Sequence, residues 1–520
     1  MNYKELIEKF NDNDEEFLIN AIDNAHAYEF LTKNAPRLHC PDTVIEDTFA
    51  FRTWVYRKHL RKVGDGFVVS EFLPEVPWAD AENTISTAFG FHLDDGKWFH
   101  CSDKILFYID FMLSNKGNSY HYFTPAITNI ISFLKVTGNE WYIKENIDKF
   151  EAYFQGWEDR HLLPCGLYWS EDWFDAMEYS ISGTAFDSDI IKGIKQSTSY
   201  SDGRVIKGIR PTLNSYMYGD AVVMAEVESS LNRLEKAKLY KAKAEKIKQL
   251  VEERLWDGSF YKAVHTKREY RKGFKYYVDE SESLTVDELS TSKIYPEHNV
   301  RELIGFIPWI YKLAPEGRED VFNLLKDEEV FAGKTGFTTA DISHERFLYD
   351  IPYHECLWNG YVWPYATSQT IKSVISLLNN YNQSVITNKD LYDFIKKYSE
   401  MHYLTENGET VNFIDEMMHP FKYDWATRTF MKNRGWKSDK GGYERGKDYN
   451  HSSYIDLVIT GLCGVSVETE SLTVNPKISG IWKWFKLENL PYKGAVYDIY
   501  YDEDGTKFNK GVGVVIEKVK

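Results

Sequence analysis

Ala126-Ile-Thr-Asn-Ile-Ile-Ser-Phe-Leu-Lys-Val-Thr137 sets Ile127, Ile130, Ile131 and Leu134 at three- and four-residue intervals, the spacing that gathers side chains on one face of an α-helix. So much of the segment is apolar that it belongs inside a fold. Glu235-Lys-Ala-Lys-Leu-Tyr-Lys-Ala-Lys-Ala-Glu-Lys-Ile-Lys-Gln-Leu-Val-Glu-Glu-Arg254 carries a second stripe, Ala237, Tyr240, Ala244, Ile247 and Val251, among charged residues. This helix buries one face and gives the other to water. The first helix is therefore inner and the second outer.

Outward from these two, helical spacing recurs near residues 14–33, 44–62, 101–114, 119–137, 141–156, 212–231, 235–254, 300–314, 365–381, 388–403 and 451–465. No strand pattern falls regularly between them, which disfavours a TIM barrel or a Rossmann sheet. About a dozen helices, alternating between apolar and half-charged, predict an all-α closed barrel of paired helices over residues 1–465. After residue 465 the character changes. Ser471-Leu-Thr-Val474, Trp482 to Leu487, Ala495 to Tyr501 and Gly511 to Val519 predict short strands, with Asp504-Gly505 as a hairpin turn. Residues 466–520 are thus expected to form a small β cap packed on the barrel.

The connections 64–82, 157–211, 255–299, 328–364 and 404–450 are long and rich in Gly, Pro, Asp and aromatic residues. Loops of that length inside a compact fold usually carry function. Two of them set acids among rings. Gly166-Leu-Tyr-Trp-Ser-Glu-Asp-Trp-Phe-Asp175-Ala-Met-Glu178 is one, and Asn412-Phe-Ile-Asp415-Glu416-Met-Met-His-Pro-Phe-Lys-Tyr-Asp-Trp425 is the other. A carboxyl group among aromatic side chains loses hydration and keeps its proton nearer neutrality, as a general acid must. Two carboxylates from remote loops facing one cleft are the minimum apparatus for glycoside hydrolysis.

Composition narrows the partners. With 62 Lys+Arg against 79 Asp+Glu the formal charge is −17, and no basic stripe offers itself to nucleic acid or an anionic membrane. Aromatic residues form 16% of the chain, including 15 Trp and 36 Tyr, which suits carbohydrate surfaces as well as cores. The five cysteines are scattered and read as reduced, buried thiols. His354, His419 and His451 lack the spacing of metal ligands, so no metal and no cofactor is expected. The N-terminus lacks a signal-like apolar stretch and no membrane-spanning run follows, which predicts a cytoplasmic protein acting on imported oligosaccharides.

The series Phe51-Arg-Thr-Trp54, Glu71-Phe-Leu-Pro-Glu-Val-Pro-Trp78, Asp175 to Gly183, Arg210-Pro-Thr-Leu-Asn214, Trp358-Asn-Gly-Tyr-Val-Trp-Pro364 and Asp448-Tyr-Asn-His451 resembles the (α/α)6-barrel glycosidases related to mannosylglycerate hydrolase, the family 63 α-glucosidases and trehalase. The resemblance implies an inverting, exo-acting glycoside hydrolase with Asp175 as general acid and Glu416 as general base. Asp172 and Glu178 rival Asp175, while Asp415, Glu444 and Asp448 rival Glu416. Inversion requires the two carboxyl groups to face each other across a water-sized gap open to solvent.

Trp358, Asn359 and Trp363 are candidates to line the sugar subsite, Trp78 to stack on a pyranose from a rim loop stiffened by Pro74 and Pro77, and Asn214 to reach a hydroxyl. Trp173 and Trp425, from the two acid-bearing loops, are candidate subsite walls. Asn83 is a weaker binding candidate, its alternative being the cap of a helix that begins just after it. Loops such as 184–209 and 264–299 are expected to set specificity. Alternatives are a glycoside phosphorylase, which needs no base, a sugar epimerase or isomerase working through histidines, and a non-catalytic carbohydrate-binding protein.

Overall fold

A helix buried on every side needs no polar face, and Ser86–Gly96 is such a helix, with all 11 of its residues out of solvent. The computed structural model describes residues 1–184, 208–265, 298–352, 354–467, 469 and 471–520, and of 271–272 and 275–276 the backbone alone. All but the ends of loops 184–209 and 264–299 lie outside the described residues.

The buried carboxylates of Ser86–Gly96 are satisfied by its neighbours, as buried polar groups must be. Asp95 accepts from the backbone N–H of Tyr454 at 3.1 Å and of Asp456 at 2.9 Å, and Asp94 from Asn129 at 3.0 Å. At Gly90 a Cβ would stand 3.0 Å from Thr124 Oγ1 and 3.1 Å from the Pro125 carbonyl. Its absence lets the helix lie close to Ala126–Thr137.

Ser86–Gly96 packs on Ala126–Thr137, which packs on Pro211–Ser230, which packs on the short helix Ile307–Ile310. The succession continues through Pro364–Asn380 to the π-helical turn Leu457–Leu462. The bonds from Asp95 to Tyr454 and Asp456 bring it back to its first member. Trp141–His161, Leu234–Leu255 and Asn388–Glu400 pack against members of this succession from outside. On Leu234–Leu255 the buried residues are Tyr240, Ala244, Ile247, Val251 and Leu255, the expected stripe with Ala237 left at its edge.

Several element boundaries differ from the sequence expectation. In place of one helix over 14–33 the chain forms Tyr3–Asp12 before that range and Ala27–Asn34 at its end. The first begins early because Asn2 and Glu5 make a reciprocal capping box. Thr43–Lys58, capped by Asp42, stops short of 62 because Leu60–Val63 pairs with Gly66–Val69 as a hairpin. Pro125 delays the next helix to Ala126. Over 300–314 the helical turns cover Leu303–Phe306 and Ile307–Ile310.

At the C-terminal end Trp484–Tyr492, Ala495–Asp502 and Gly513–Lys518 form an antiparallel sheet. Its outer edge is filled by Arg37–His39 from the other end of the chain. The tight turn is Lys493-Gly494, both with positive φ, as a two-residue hairpin of right-handed twist demands. Asp504-Gly505 sits in a longer connection, and Val474 makes an isolated bridge to Val465 where a strand was expected. The result is a helix-rich fold with a small C-terminal sheet sharing its core through Trp482, Phe485 and Leu487. No helix among the described residues is long and apolar enough to cross a membrane.

Candidate active site

The long connections meet around a cavity of about 360 Å³. Glu71, Phe72 and Trp78 reach it from the rim loop after the first hairpin, Trp173, Ala176 and Glu178 from the first acid-bearing loop, and Glu416 from the second. Cys356, Trp358, Trp363 and Tyr365 enter from the stretch before and into Pro364–Asn380, and Arg445, Tyr449 and His451 from the last long connection. Asn83 holds the rim loop, accepting from Val76 N–H and donating to the Phe72 and Pro74 carbonyls at 3.0 Å. It ties down a loop and is neither a cavity residue nor the cap of the helix that follows.

The first acid loop turns sharply around its carboxylates. Ala176 and Tyr179 have φ of +54° and +61°, conformations that cost non-glycine residues about 1–3 kcal/mol each and tend to cluster at functional sites. Between them Glu178 projects into the cavity, and its carbonyl accepts from Trp358 N–H at 3.1 Å, joining two site loops. Burial pushes the Glu178 carboxyl up to about 8, with Asp172, Glu416 and Glu71 adding to the rise. It is therefore protonated at neutral pH.

Glu416 has different company. Its Oε1 lies 3.3 Å from Arg445 Nη2 and its Oε2 accepts from the Cys356 thiol at 2.6 Å. Burial raises its pKa, while the guanidinium and the thiol both favour the anion. Arg445 is held in turn by Glu355 at 2.9 Å and lies over the rings of Trp78 and Trp436. Burial acts to raise the Glu355 pKa, but Arg445, His354 and Arg434 together hold its carboxyl below the usual glutamate range. Opposite charges set within a few ångströms divide the pKa values of nearby acids.

Asp175 does not line the cavity. Its carboxyl is fully buried and accepts from Arg210 Nε at 2.5 Å, while Arg210 donates to Ser182 at 2.7 Å and stands 3.9 Å from Glu302. Burial pushes Asp175 up to about 6, with Arg210 opposing the rise, so it is ionised at neutrality. Asp172 is sealed in the same cluster by Thr184 at 2.7 Å and Ser180. Asp415, buried beside Glu416, caps the Glu416 N–H at 2.7 Å and does not line the cavity.

Of the expected sugar contacts, Trp78, Trp173, Trp358 and Trp363 line the cavity. Trp358 and Trp363 are stacked with centroids 4.1 Å apart, and Trp363 is pinned by a bond to the Leu357 carbonyl at 2.9 Å. Asn214, Asn359 and Trp425 are buried elsewhere. Asn214 clamps both backbone groups of Tyr168 at 2.9 Å, Asn359 donates to the Tyr349 carbonyl at 2.8 Å, and the Trp425 indole donates to the Tyr403 carbonyl at 3.0 Å. Each holds a backbone group and none of the three lines the cavity, while Asn359 Oδ1 is left without a hydrogen-bond partner. Cys356, read as one of five reduced, buried thiols, is half-buried and touches Glu416. Glu71, Tyr449, Tyr365 and Arg445 went unnamed as site residues, although Glu71 and Tyr449 sit inside motifs already singled out. Among the described residues no group of three or more His, Cys, Asp and Glu is placed to hold a metal ion.

Residues 81–452 match the model of the mannosylglycerate hydrolase MGH1-like glycoside hydrolase domain. The chain belongs to this family. Among solved structures similar to this MGH1-like chain is one named Sialidase, at 27% identity and a TM-score of 0.81, covering 100% of this chain and 43% of that one. The chain therefore spans less than half the length of that relative. The GH63 mannosylglycerate hydrolase from Thermus thermophilus in complex with Tris shares the fold at 11% identity and a TM-score of 0.51, over 79% of this chain and 100% of that one. The GH78 family rhamnosidase of Bacillus SP. GL1 does so at 11% identity and 0.52, over 90% and 40%. No curated protein sequence matches the chain.

Proposed function

We propose that this MGH1-like domain is an inverting, exo-acting glycoside hydrolase, its paired helices closed into an (α/α)6 barrel whose mouth is the cavity described above. Glu178 is the general acid and Glu416 the general base. The observation that carries this is the unequal company of two carboxyls in one cavity. The charges acting on Glu178 are those of other acids and favour its proton, whereas at Glu416, whose pKa burial also raises, Arg445 and the Cys356 thiol favour the anion. In the reaction Glu178 gives its proton to the leaving oxygen while Glu416 takes one from a water attacking the opposite face of the anomeric carbon.

Asp175, expected from the resemblance to be the acid, is assigned instead to fixing the acid loop through Arg210. Exo action is supported by the cavity volume of about 360 Å³, at the small end for ligand pockets and suited to one terminal sugar with part of its aglycone. Trp358 and Trp363 form one ring wall, and Trp78, 36% exposed, stands at the rim. A screen of aryl glycosides and disaccharides, with NMR of the first-formed anomer, tests the proposal. Inverted product that vanishes in both Glu178→Gln and Glu416→Gln supports it, and retained configuration sinks it.

A further inference from the structure

Beside Arg445 Nε, which belongs to the guanidinium already paired with Glu355 and Glu416, three groups on the cavity lining are buried without a hydrogen-bond partner among the described residues: Glu71 Oε2, the Trp358 indole N–H and both ring nitrogens of His451. Hydrolysis as proposed above uses none of them. Glu71 is held from behind, where its Oε1 accepts from the Tyr449 hydroxyl. The His451 ring is stacked on Tyr365 at 5.6 Å and lies 3.8 Å from Tyr449, while Trp358 is fixed against Trp363. Rigidly held and unpaired, these groups are costly until something fills them.

We infer that Glu71, His451 and Trp358 read the hydroxyl groups of the glycone, and that the glycone is an uncharged pyranose. A neutral imidazole offers one donor and one acceptor, an indole one donor, and a carboxyl group both capacities when protonated. That set matches adjacent sugar hydroxyls, each of which donates once and accepts twice. Burial keeps His451 neutral and pushes Glu71 up to about 8. The charge balance argues against an acidic sugar. Glu355 and Glu416 line the cavity beside the protonated Glu71 and Glu178, and its one lining Arg or Lys among the described residues, Arg445, is already paired through its terminal nitrogens with both Glu355 and Glu416. A uronate or sialate carboxylate would enter without a free cation to meet it.

The inference rests on the hydrolase assignment for turnover but not for binding, and the test separates the two. Neutral 4-nitrophenyl glycosides are compared with 4-nitrophenyl uronides and a 4-nitrophenyl sialoside. Hydrolysis at least about 100-fold faster on a neutral glycoside is expected. The best neutral substrate is then made as its monodeoxy series and run on the wild type and on the isosteric Glu71→Gln. One deoxy position should lose about 10- to 100-fold in kcat/KM on the wild type and under about threefold more on the variant. A uronide or sialoside as best substrate, or equal losses at every deoxy position, overturns the inference. If Glu71→Gln melts early, His451→Asn is run through the same series. If no glycoside is hydrolysed, the hydrolase assignment fails and calorimetric titration with neutral monosaccharides and uronic acids decides the rest. Neutral binding weakened by Glu71→Gln supports the pocket, and preference for the uronic acid, or no binding, refutes it.

Discussion

Replacing Glu178 by Gln keeps the shape of the side chain and removes its proton. At pH 7 a carboxyl at about 8 is about 90% protonated, whereas one at the ordinary value of 4.5 is about 0.3% protonated. Desolvation by the cavity walls therefore enriches the competent acid roughly 300-fold. General acid catalysis is worth about 10²- to 10⁴-fold, so we predict a loss of that order in kcat/KM for a glycoside with an alcohol leaving group. With a 2,4-dinitrophenyl leaving group, which departs unprotonated, the loss should stay under about tenfold. The wild-type rate should fall above pH 8 as Glu178 ionises.

The same shift acts on stability. Between pH 4.5 and 8 the folded chain holds a proton on Glu178 that the unfolded chain has released, so this contribution to stability is complete below 4.5 and is lost as pH rises to 8. The upper figure is (8 − 4.5) × 1.36, about 5 kcal/mol. Glu178→Gln should flatten part of the melting-temperature decline across that window, while Glu71, also near 8, keeps its own share. The assays are initial rates with both leaving groups and thermal melts from pH 4.5 to 8. An equal loss with both leaving groups would refute the assignment.

Asp175→Asn breaks a buried pair with Arg210 and should lower stability by about 3–5 kcal/mol, read as a melting shift. Its rate loss should not depend on the leaving group, whereas a dependence matching that of Glu178→Gln would make Asp175 the acid. Arg445→Met removes the cation beside Glu416 and should move the acidic limb of the kcat/KM profile to higher pH, with an unmoved limb counting against Glu416 as base. Asn214→Ala strips both backbone groups of Tyr168 of their partner and should cost about 1–3 kcal/mol of stability with KM unchanged. A raised KM in chains that remain folded would return Asn214 to the sugar.

The outer helices were legible because water writes a period into them. Leu234–Leu255 shows its stripe because its other face is charged. Ser86–Gly96 shows no such contrast, being buried all round and carrying Asp94 and Asp95 that read as surface residues until Tyr454, Asp456 and Asn129 arrive to bond them. The site was legible as loops and less so as residues. Indoles that line the cavity and indoles that pack the core share one composition, and only the partner of the N–H separates Trp358 from Trp425. Asn214 and Asn359 mislead similarly, since a buried amide serves a backbone carbonyl as well as it serves a sugar.

The choice among the acids of one loop turns on two guanidinium groups that spacing alone does not locate. Arg210 enters from the start of Pro211–Ser230, on the side away from the cavity, and takes Asp175 with Glu302 close by. Arg445 comes from the last long connection and takes Glu416 with Glu355. A carboxylate beside a buried cation remains an anion, which suits a base or a structural anchor and disqualifies a proton donor at neutral pH. Glu178 has neither cation, and the acids Asp172, Glu416 and Glu71, wherever they ionise, strengthen its hold on the proton. The positive φ of Ala176 and Tyr179 is what aims this residue into the cavity while Asp175, three positions earlier, turns back to Arg210. Substituting either with Pro, whose ring fixes φ near −65°, should therefore uncouple acid from base more severely than any change of charge in the same loop.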